Sequence, residues 1–189
     1  MDCHRRDNGE GGAAGPGPVL RSGRLLLRPL RRSDAGPIAL YAGDARVARM
    51  TTGIPHPYPP GAAEAFIEAA LSGRRSGRAW VMDGTPSGAA EMIGLIEARP
   101  RADGATEIGF WVGPPFWNTG YATEALVALA DALAAAGQRR LVAQVFADNP
   151  ASAQVLIHAG FAETGQGSAF SVARGQTVPT RVFERKDRM

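Results

Sequence analysis

The sequence contains few of the residues that cross-link chains or bind metal ions. Its one cysteine, Cys3, excludes an internal disulfide, so the protein is not a disulfide-stabilised scaffold. Its three histidines, His4, His56 and His158, are widely separated and have no cysteine cluster with them, which predicts no metal site. Both established phosphate fingerprints are missing as well, the G-x-x-x-x-G-K-[ST] loop and a G-x-G-x-x-G turn after a strand. These absences argue against a nucleotide-hydrolysing site and against a Rossmann-type site.

Long apolar runs and charge of one sign are also lacking. The longest apolar helical run, residues 125–136, contains Asp131 and is shorter than the ~20 residues that span a bilayer. The N-terminus has no continuous apolar region of a secretory signal, so we expect a cytoplasmic protein without a membrane segment. The net charge is only +3, and the arginines are scattered without interleaved aromatic residues, which argues against a nucleic-acid partner.

One stretch, residues 108–136, organises the rest of the chain. Bulky residues from Ile108 to Val112 predict a buried strand, which Gly113-Pro114-Pro115 ends because proline cannot continue a sheet ladder. From Ala122 apolar residues recur at spacings of three and four, which predicts a helix that ends near Gly137. The free backbone N–H groups at the start of this helix suit a pyrophosphate, although most such turns are only turns.

The other segments predict one domain over residues 21–189, after a flexible tail over residues 1–20 that is rich in glycine, proline and charge. The predicted order is β-α-α-β-β-β-α-β-α-β-β, a mixed α/β sheet in which the β–α–β step favours parallel pairing. Residues 51–61 contain four prolines and two glycines, so we expect a loop there. Residues 165–176 are predicted to form a loose hairpin connection.

Several motifs resemble one known family in order and spacing. They are Glu107-Ile-Gly-Phe-Trp-Val112, Phe-Trp117-Asn-Thr-Gly120-Tyr-Ala-Thr-Glu124-Ala, Asn149-Pro-Ala-Ser152 and Ala159-Gly-Phe161. Together they resemble the GNAT acyl-CoA N-acetyltransferases, most closely the RimJ/RimL type, which acetylates N-terminal amines of ribosomal proteins. The resemblance implies an α/β (α+β) fold, a single GNAT-like domain with a mixed, mostly antiparallel twisted sheet of about seven strands. Helices would cover both faces, and acetyl-CoA would lie in a central β-α-β cleft.

The resemblance also assigns roles to individual residues. The expected cofactor-binding residues are Phe110, Trp111 and Val112 for the pantetheine arm, then Trp117, Asn118, Thr119, Gly120, Tyr121, Ala122 and Thr123 around the pyrophosphate, and Asn149 and Ser152. Trp117 departs from the broad family pattern, which has a polar or basic residue there. Leu156 replaces a tyrosine that serves many family members as an acid, so Ser152 is expected to hydrogen-bond the leaving thiolate. From the residues alone, Asn149-Pro150 equally predicts a helix start with an asparagine cap.

Glu107 is the expected general base, because a carboxylate beside the buried strand can take the amine proton directly or through a water. Two other readings stay open: Glu107 only pairs with an arginine at the strand edge, or Glu97 is the base. His56 and Tyr58 are candidates for contacting the substrate, although aromatic residues between prolines also simply pack a loop. Glu124 is predicted to be structural, at the positive end of a helix dipole.

The favoured hypothesis is therefore acetyl-CoA-dependent N-acetyltransfer to a primary amine, by direct attack in a ternary complex. The alternative is a CoA-binding or interaction module of the same fold with little turnover. No charge cluster is visible in the loops that would surround the acceptor, which leaves a protein N-terminus and a small neutral amine both open. The partners are thus acetyl-CoA and an amine acceptor, with a homodimer common among members of the resembling family.

Overall fold

A computed structural model describes residues 17–186, and its strands form one eight-stranded sheet. The strands are β1 (Leu20–Arg21), β2 (Leu26–Pro29), β3 (Arg78–Asp83), β4 (Gly94–Pro100), β5 (Thr106–Val112), β6 (Arg140–Phe146), β7 (Ala162–Ser171) and β8 (Gln176–Lys186). Their order across the sheet is β1-β2-β3-β4-β5-β6-β8-β7. All neighbours are antiparallel except β5 and β6, which are parallel as predicted. The mixed, mostly antiparallel fold is confirmed, with one strand more than expected.

Helices cover both faces of this sheet. They are α1 (Ala35–Ala42), α2 (Ala45–Ala48), α3 (Ala62–Leu71), α4 (Tyr121–Ala135) and α5 (Pro150–His158). Because side chains alternate along a strand, neighbouring residues of β3 enter different cores: Val81 packs with α1 and α3, and Met82 with α4 and α5. Between residues 17 and 186, no helix is both long and apolar enough to cross a membrane.

The central helix α4 follows the sequence pattern closely. Its fully buried residues are Ala125, Leu126, Leu129 and Ala130, which lie at the predicted spacing. Gly137 ends the helix with a φ of 85°, and its N–H donates to the carbonyl of Ala134 at 2.9 Å. A left-handed backbone favours glycine, so both the helical face and its end could be read from the sequence.

One predicted boundary differs from the structure. The expected start of the domain at residue 21 falls inside β1, and Trp80 Nε1 donates to the carbonyl of Pro18 at 2.9 Å. The packed part of the chain therefore extends at least to residue 17. The rest of the predicted tail, residues 1–16, and residues 187–189 lie outside the described residues.

The hairpin predicted over residues 165–176 is present, but the prediction that it is a loose connection is wrong, because most of it is paired strand. β7 and β8 pair in a long hairpin from Ala162↔Glu184 to Ser171↔Gln176. β7 is an edge strand, and nearly all its residues are exposed. Its sequence lacks the apolar alternation that marks a half-buried strand, because it has no buried face to encode.

A buried ion cluster joins β2, β3 and the start of α1. Arg28 binds both carboxylate oxygens of Asp34, at 2.8 and 2.9 Å, and its Nε donates to Asp83 at 2.8 Å. The arginine side chain is 3% exposed. Burial raises the pKa of the Asp83 carboxyl, but hydrogen bonds from Thr85 and Arg28 outweigh it, and the pKa lies below its ordinary value.

We expect the free energy of unfolding to depend on Asp83 and on pH. Because the folded pKa is the lower one, this carboxylate stabilises the protein above its unfolded pKa of about 3.9, and the contribution disappears as pH falls through the folded value. Asp83→Asn should lower the free energy of unfolding by roughly 3 kcal/mol at pH 7 and by less in acid, since it removes one partner of a buried pair. Urea unfolding between neutral and acid pH measures this. Asp131→Asn, at an exposed position, is the control. If the free energy of unfolding of Asp83→Asn fell with pH as steeply as that of the wild type, the role assigned to Asp83 would be contradicted.

Candidate cofactor cleft and acceptor cavity

The sheet opens between β5 and β6. These parallel strands pair only at Thr106↔Leu141 and Glu107↔Val142, although β5 continues to Val112 and β6 to Phe146. On the outer sides β4 pairs with β5 from Gly94↔Val112, and β6 pairs with β8 along its whole length. The two inner edges therefore diverge and leave backbone groups without strand partners, which is the kind of gap that an extended ligand arm can occupy.

The turn after β5 has an unusual number of free donors. The backbone N–H groups of residues 118–123 donate to no acceptor in the part of the chain that the structure describes. Asn118 and Gly120 have φ values of 59° and 83°, and Gly120 is the N-cap of α4. Six successive free N–H groups at the positive end of a fifteen-residue helix form a site suited to a pyrophosphate.

The Trp117 side chain stabilises the conformation of this turn. Its indole Nε1 donates to the carbonyl of Val112 at 2.7 Å, and the Arg46 guanidinium lies 5.3 Å from a ring centroid of the indole. The carbonyl of Val112 is thus already occupied within the chain. Thr119 also stabilises the turn, because its hydroxyl donates to the carbonyl of Phe116 at 2.6 Å. Both side chains hold the shape of the turn, and the backbone is left for a ligand.

Arg24 is a residue at this turn that sequence reasoning missed. Its Nε donates to Glu124 at 2.7 Å and its Nη1 to the carbonyl of Thr119 at 3.0 Å. Burial raises the pKa of the Glu124 carboxyl, but hydrogen bonds from Ser22 and Arg24 lower it further, so the net shift is downward. Glu124 has the structural role expected, and it connects the start of α4 with the loop between β1 and β2.

A cavity of about 420 Å³ lies on the face of the sheet that α1 and α3 cover. Five predicted site residues line it, namely Glu107, Ser152, Tyr58, Phe110 and Trp111. His56 is exposed and is not among the lining residues. The structure therefore brings the two candidate catalytic groups and the diverging end of β5 into one space, and it separates His56 from them.

Glu107 lies on β5 opposite Arg99 of β4. Its carboxylate is 29% exposed, and Arg99 and Arg101 each approach it to 3.8 Å. That distance is too long for a hydrogen bond, so both carboxylate oxygens can still accept a proton or a water. Glu107 can therefore lie near two arginines and still act as a general base.

Ser152 is oriented by the cap of α5. Asn149 is the N-cap, with its side-chain oxygen accepting from the Ser152 N–H at 3.1 Å, and Pro150 is the first helical residue. The Asn149 amide also donates to the Ser152 hydroxyl oxygen at 3.0 Å. Because the oxygen accepts this bond, the hydroxyl hydrogen can point to another acceptor in the cavity. Leu156 is fully buried in the core, so this helix offers no phenol at that position.

The loop of residues 51–61 forms one wall of the cavity. Within it, burial raises the pKa of the Tyr58 hydroxyl, so this group remains a hydrogen-bond donor at neutral pH. The loop is fixed from the far side by the β7–β8 turn, where Val172 N–H donates to the carbonyl of Thr52 at 3.0 Å. Arg174 strengthens this contact with bonds to the carbonyl of Arg49 at 2.7 Å and to Asp148 at 2.7 Å.

Strand β4 and the loop before β3 contribute further charges to the cavity, of which the sequence analysis considered only Glu97, as the alternative base. Arg75, Glu97 and Arg99 line the cavity together with Glu107. The missed signal was the strand period: Glu97 and Arg99 are two residues apart on β4 and so share one face. Among residues 17–186, no group of three or more histidine, cysteine, aspartate or glutamate side chains could hold a metal ion.

Comparisons with known proteins agree with this geometry. A family model described as an acetyltransferase (GNAT) domain matches residues 24–162. The uncharacterized N-acetyltransferase YoaA of Bacillus subtilis is 29% identical over 171 residues, which cover 88% of this chain and 95% of that protein. The identity and the near-complete coverage extend the match to most of the chain.

Solved structures share the fold. The microcin C7 self-immunity acetyltransferase MccE, in complex with acetyl-CoA and AMP, has a TM-score of 0.75 at 16% identity, covering 87% of this chain and 93% of its own. RimL, a ribosomal L7/L12 alpha-N-protein acetyltransferase in complex with coenzyme A, has a TM-score of 0.76 at 20% identity, with 89% and 98% covered. Since the family model spans well over half of the sequence, the chain belongs to the GNAT family of N-acetyltransferases, and acetyl transfer to an amine is its chemistry.

Proposed function

We propose that acetyl-CoA lies in the gap between β5 and β6, with its pyrophosphate on residues 118–122, and that Glu107 and Ser152 serve the transfer. The observation that carries this is the shared cavity: the candidate base, the candidate thiolate partner and the open end of β5 all line it. The free N–H groups at the start of α4 fit the pyrophosphate without any change in the chain. Neighbours of this fold bind acetyl-CoA or coenzyme A, which supports the same co-substrate here.

The reaction requires few groups. The acceptor ammonium loses one proton, and the neutral nitrogen attacks the thioester carbonyl to form a carbon–nitrogen bond. The carbon–sulfur bond then breaks, the sulfur leaves with the electron pair, and the nitrogen gives up a second proton. In this proposal Glu107 accepts a proton directly or through a water, and the thiolate takes one from solvent while Ser152 hydrogen-bonds it. The products are an N-acetylated amine, coenzyme A with a free thiol, and one proton.

Calorimetry and a thiol-release assay test this function together. We expect acetyl-CoA and coenzyme A to bind with micromolar dissociation constants, a free energy near −8 kcal/mol. Thiol release should then require both acetyl-CoA and a primary amine. Absence of binding by either cofactor would refute the proposed cleft. Binding without thiol release from a broad panel of primary amines would instead support a CoA-binding module with little turnover.

Ser152→Ala should slow the chemical step. Losing one hydrogen bond to a charged group costs about 1.5–3 kcal/mol, so kcat should fall roughly 10- to 100-fold. The dissociation constant of coenzyme A should change little, because the Asn149 cap and the α5 backbone remain. Stopped assays at saturating acetyl-CoA measure kcat, and Ser168→Ala on the exposed edge strand β7 is the control. An unchanged kcat would exclude the role given to the Ser152 hydroxyl.

A further inference from the structure

The cavity contains a balanced set of four charges that the acceptor must meet. Among its described lining residues, only Arg75, Glu97, Arg99 and Glu107 carry charge at neutral pH. Two cations and two anions sum to zero, so the cavity offers no excess of carboxylates for a polycationic acceptor such as a polyamine. A ligand that is itself neutral overall, with or without internal charges, matches this balance.

The two arginines differ in how they are engaged. Nη2 of Arg75 contacts both carboxylate oxygens of Glu97 at 3.1 Å, and its guanidinium lies 4.4 Å from the ring centroid of Phe66. Arg75 and Glu97 therefore already bind each other within the protein. Nε of Arg99 is buried with no hydrogen-bond partner, and its Nη2 comes no closer than 3.8 Å to Glu107. The buried Nε is closed to a ligand, but the side chain is 40% exposed and its terminal nitrogens make no hydrogen bond within the described residues. These terminal donors favour the arrival of an anionic oxygen.

We propose that the acceptor is a free α-amino acid with an apolar side chain, whose carboxylate binds Arg99 while its amine is presented to Glu107. This proposal rests on the proposed function. Arg99 and Glu107 face each other across β4 and β5, with 3.8 Å between the nearest nitrogen and oxygen. In an α-amino acid the amine nitrogen and the carboxylate carbon are two bonds apart, about 2.5 Å, so one small molecule reaches both groups.

The floor and walls beside Glu107 accommodate the rest of such a molecule. Gly109, the next residue on that face of β5, has nothing within 4 Å of the position that a Cβ would occupy. The surrounding wall is apolar and includes Ile54, Phe66 and Leu95. The volume of about 420 Å³ is within the range of small-molecule pockets. A protein N-terminus lacks the α-carboxylate, since that carbon is already in a peptide bond, and would leave Arg99 unpaired.

Two matched series test the proposal with the full-length protein and acetyl-CoA. One series is L-leucine, L-leucinamide and 3-methylbutylamine, the other L-phenylalanine, L-phenylalaninamide and 2-phenylethylamine, and leucyl-glycyl-glycine represents a peptide N-terminus. Values of kcat/KM are corrected for the fraction of each amine that is unprotonated at the assay pH. In at least one series the amino acid should exceed its amide and its decarboxylated amine roughly 10- to 100-fold, the effect of a hydrogen bond between charged groups.

Arg99→Gln should reduce that preference to within about threefold of unity. Arg101→Gln is the matched control: it removes the same charge at the same 3.8 Å distance from Glu107, but Arg101 does not line the cavity, so the preference should remain. The proposal would be overturned if neither amino acid exceeded its amide and its amine, if the peptide reacted as well as the better amino acid, or if the two variants lost the preference equally. Failure of acetyl-CoA to bind would instead count against the proposed function.

Discussion

Glu107→Gln should lower kcat by about 10²- to 10⁴-fold, the usual contribution of a positioned acid or base. The amide keeps the size of the side chain and its place opposite Arg99, but it cannot take the amine proton. Calorimetry should show acetyl-CoA bound with nearly the wild-type constant, because the Glu107 side chain contributes none of the free backbone N–H groups of residues 118–123. Loss of turnover with binding retained separates a base from a structural carboxylate.

Two comparison variants make this result specific. Glu163→Gln alters a surface pair with Arg181 on the β7–β8 hairpin and should leave kcat unchanged. Glu97→Gln tests the other candidate base, although Glu97 is already held through both oxygens by Arg75. If Glu97→Gln lost the greater part of kcat while Glu107→Gln kept it, the assignment of the base would be reversed. If neither variant lost activity, proton removal by a side chain of this cavity would be excluded.

Gly120→Leu should raise the dissociation constant of coenzyme A at least about a hundredfold, since two or more charge-assisted hydrogen bonds are lost. A Cβ at Gly120 would lie 3.3 Å from Nη2 of Arg24, so an added side chain displaces that guanidinium or projects over the free N–H groups. The φ of 83° also strains any L-residue, by about 1–2 kcal/mol.

Gly137→Leu at the other end of α4 controls for this strain. Gly137 has a φ of 85°, and a Cβ there would meet nothing within 4 Å. Both variants should therefore lose similar amounts of thermal stability, but only Gly120→Leu should bind coenzyme A more weakly. Calorimetry together with thermal unfolding of the two proteins measures the contrast. Equal affinities for coenzyme A in the two variants would mean that the pyrophosphate does not bind at this turn.

Structural features encoded in neighbouring residues were predicted from the sequence, and features without such a local signal were not. The buried face of α4 and its glycine end were predicted, because helical spacing and a left-handed cap are written in neighbouring residues. The hairpin of β7 and β8 was predicted, but the length of its strands was not, because an exposed edge strand carries no burial pattern. The Asn149 cap was predicted from Asn-Pro at a helix start. The hydrogen bond from the Asn149 amide to the Ser152 hydroxyl was not, because it depends on the orientation of both side chains in the folded protein.

The candidate site divides in the same way. Glu107, Ser152, Tyr58 and the turn at residues 118–122 were chosen from motif resemblance, and their roles remain predictions. Arg24 was overlooked because its contact with Glu124 joins residues one hundred positions apart, a pairing that no local pattern reveals. Arg99 was overlooked for a related reason: its importance comes from lacking a hydrogen-bond partner, which only the surrounding packing determines.

Local sequence signals were enough to predict the family, the order of the main elements, the parallel step around α4 and the glycine-bounded helix that begins at the turn. These follow from local propensity and motif spacing, which act over a few residues. The folded chain was needed to see where β5 and β6 separate, which charges face the cavity and which of them are already paired. Those properties depend on strands distant in sequence meeting in one register, because burial and hydrogen-bond satisfaction belong to the assembled sheet and not to any single segment.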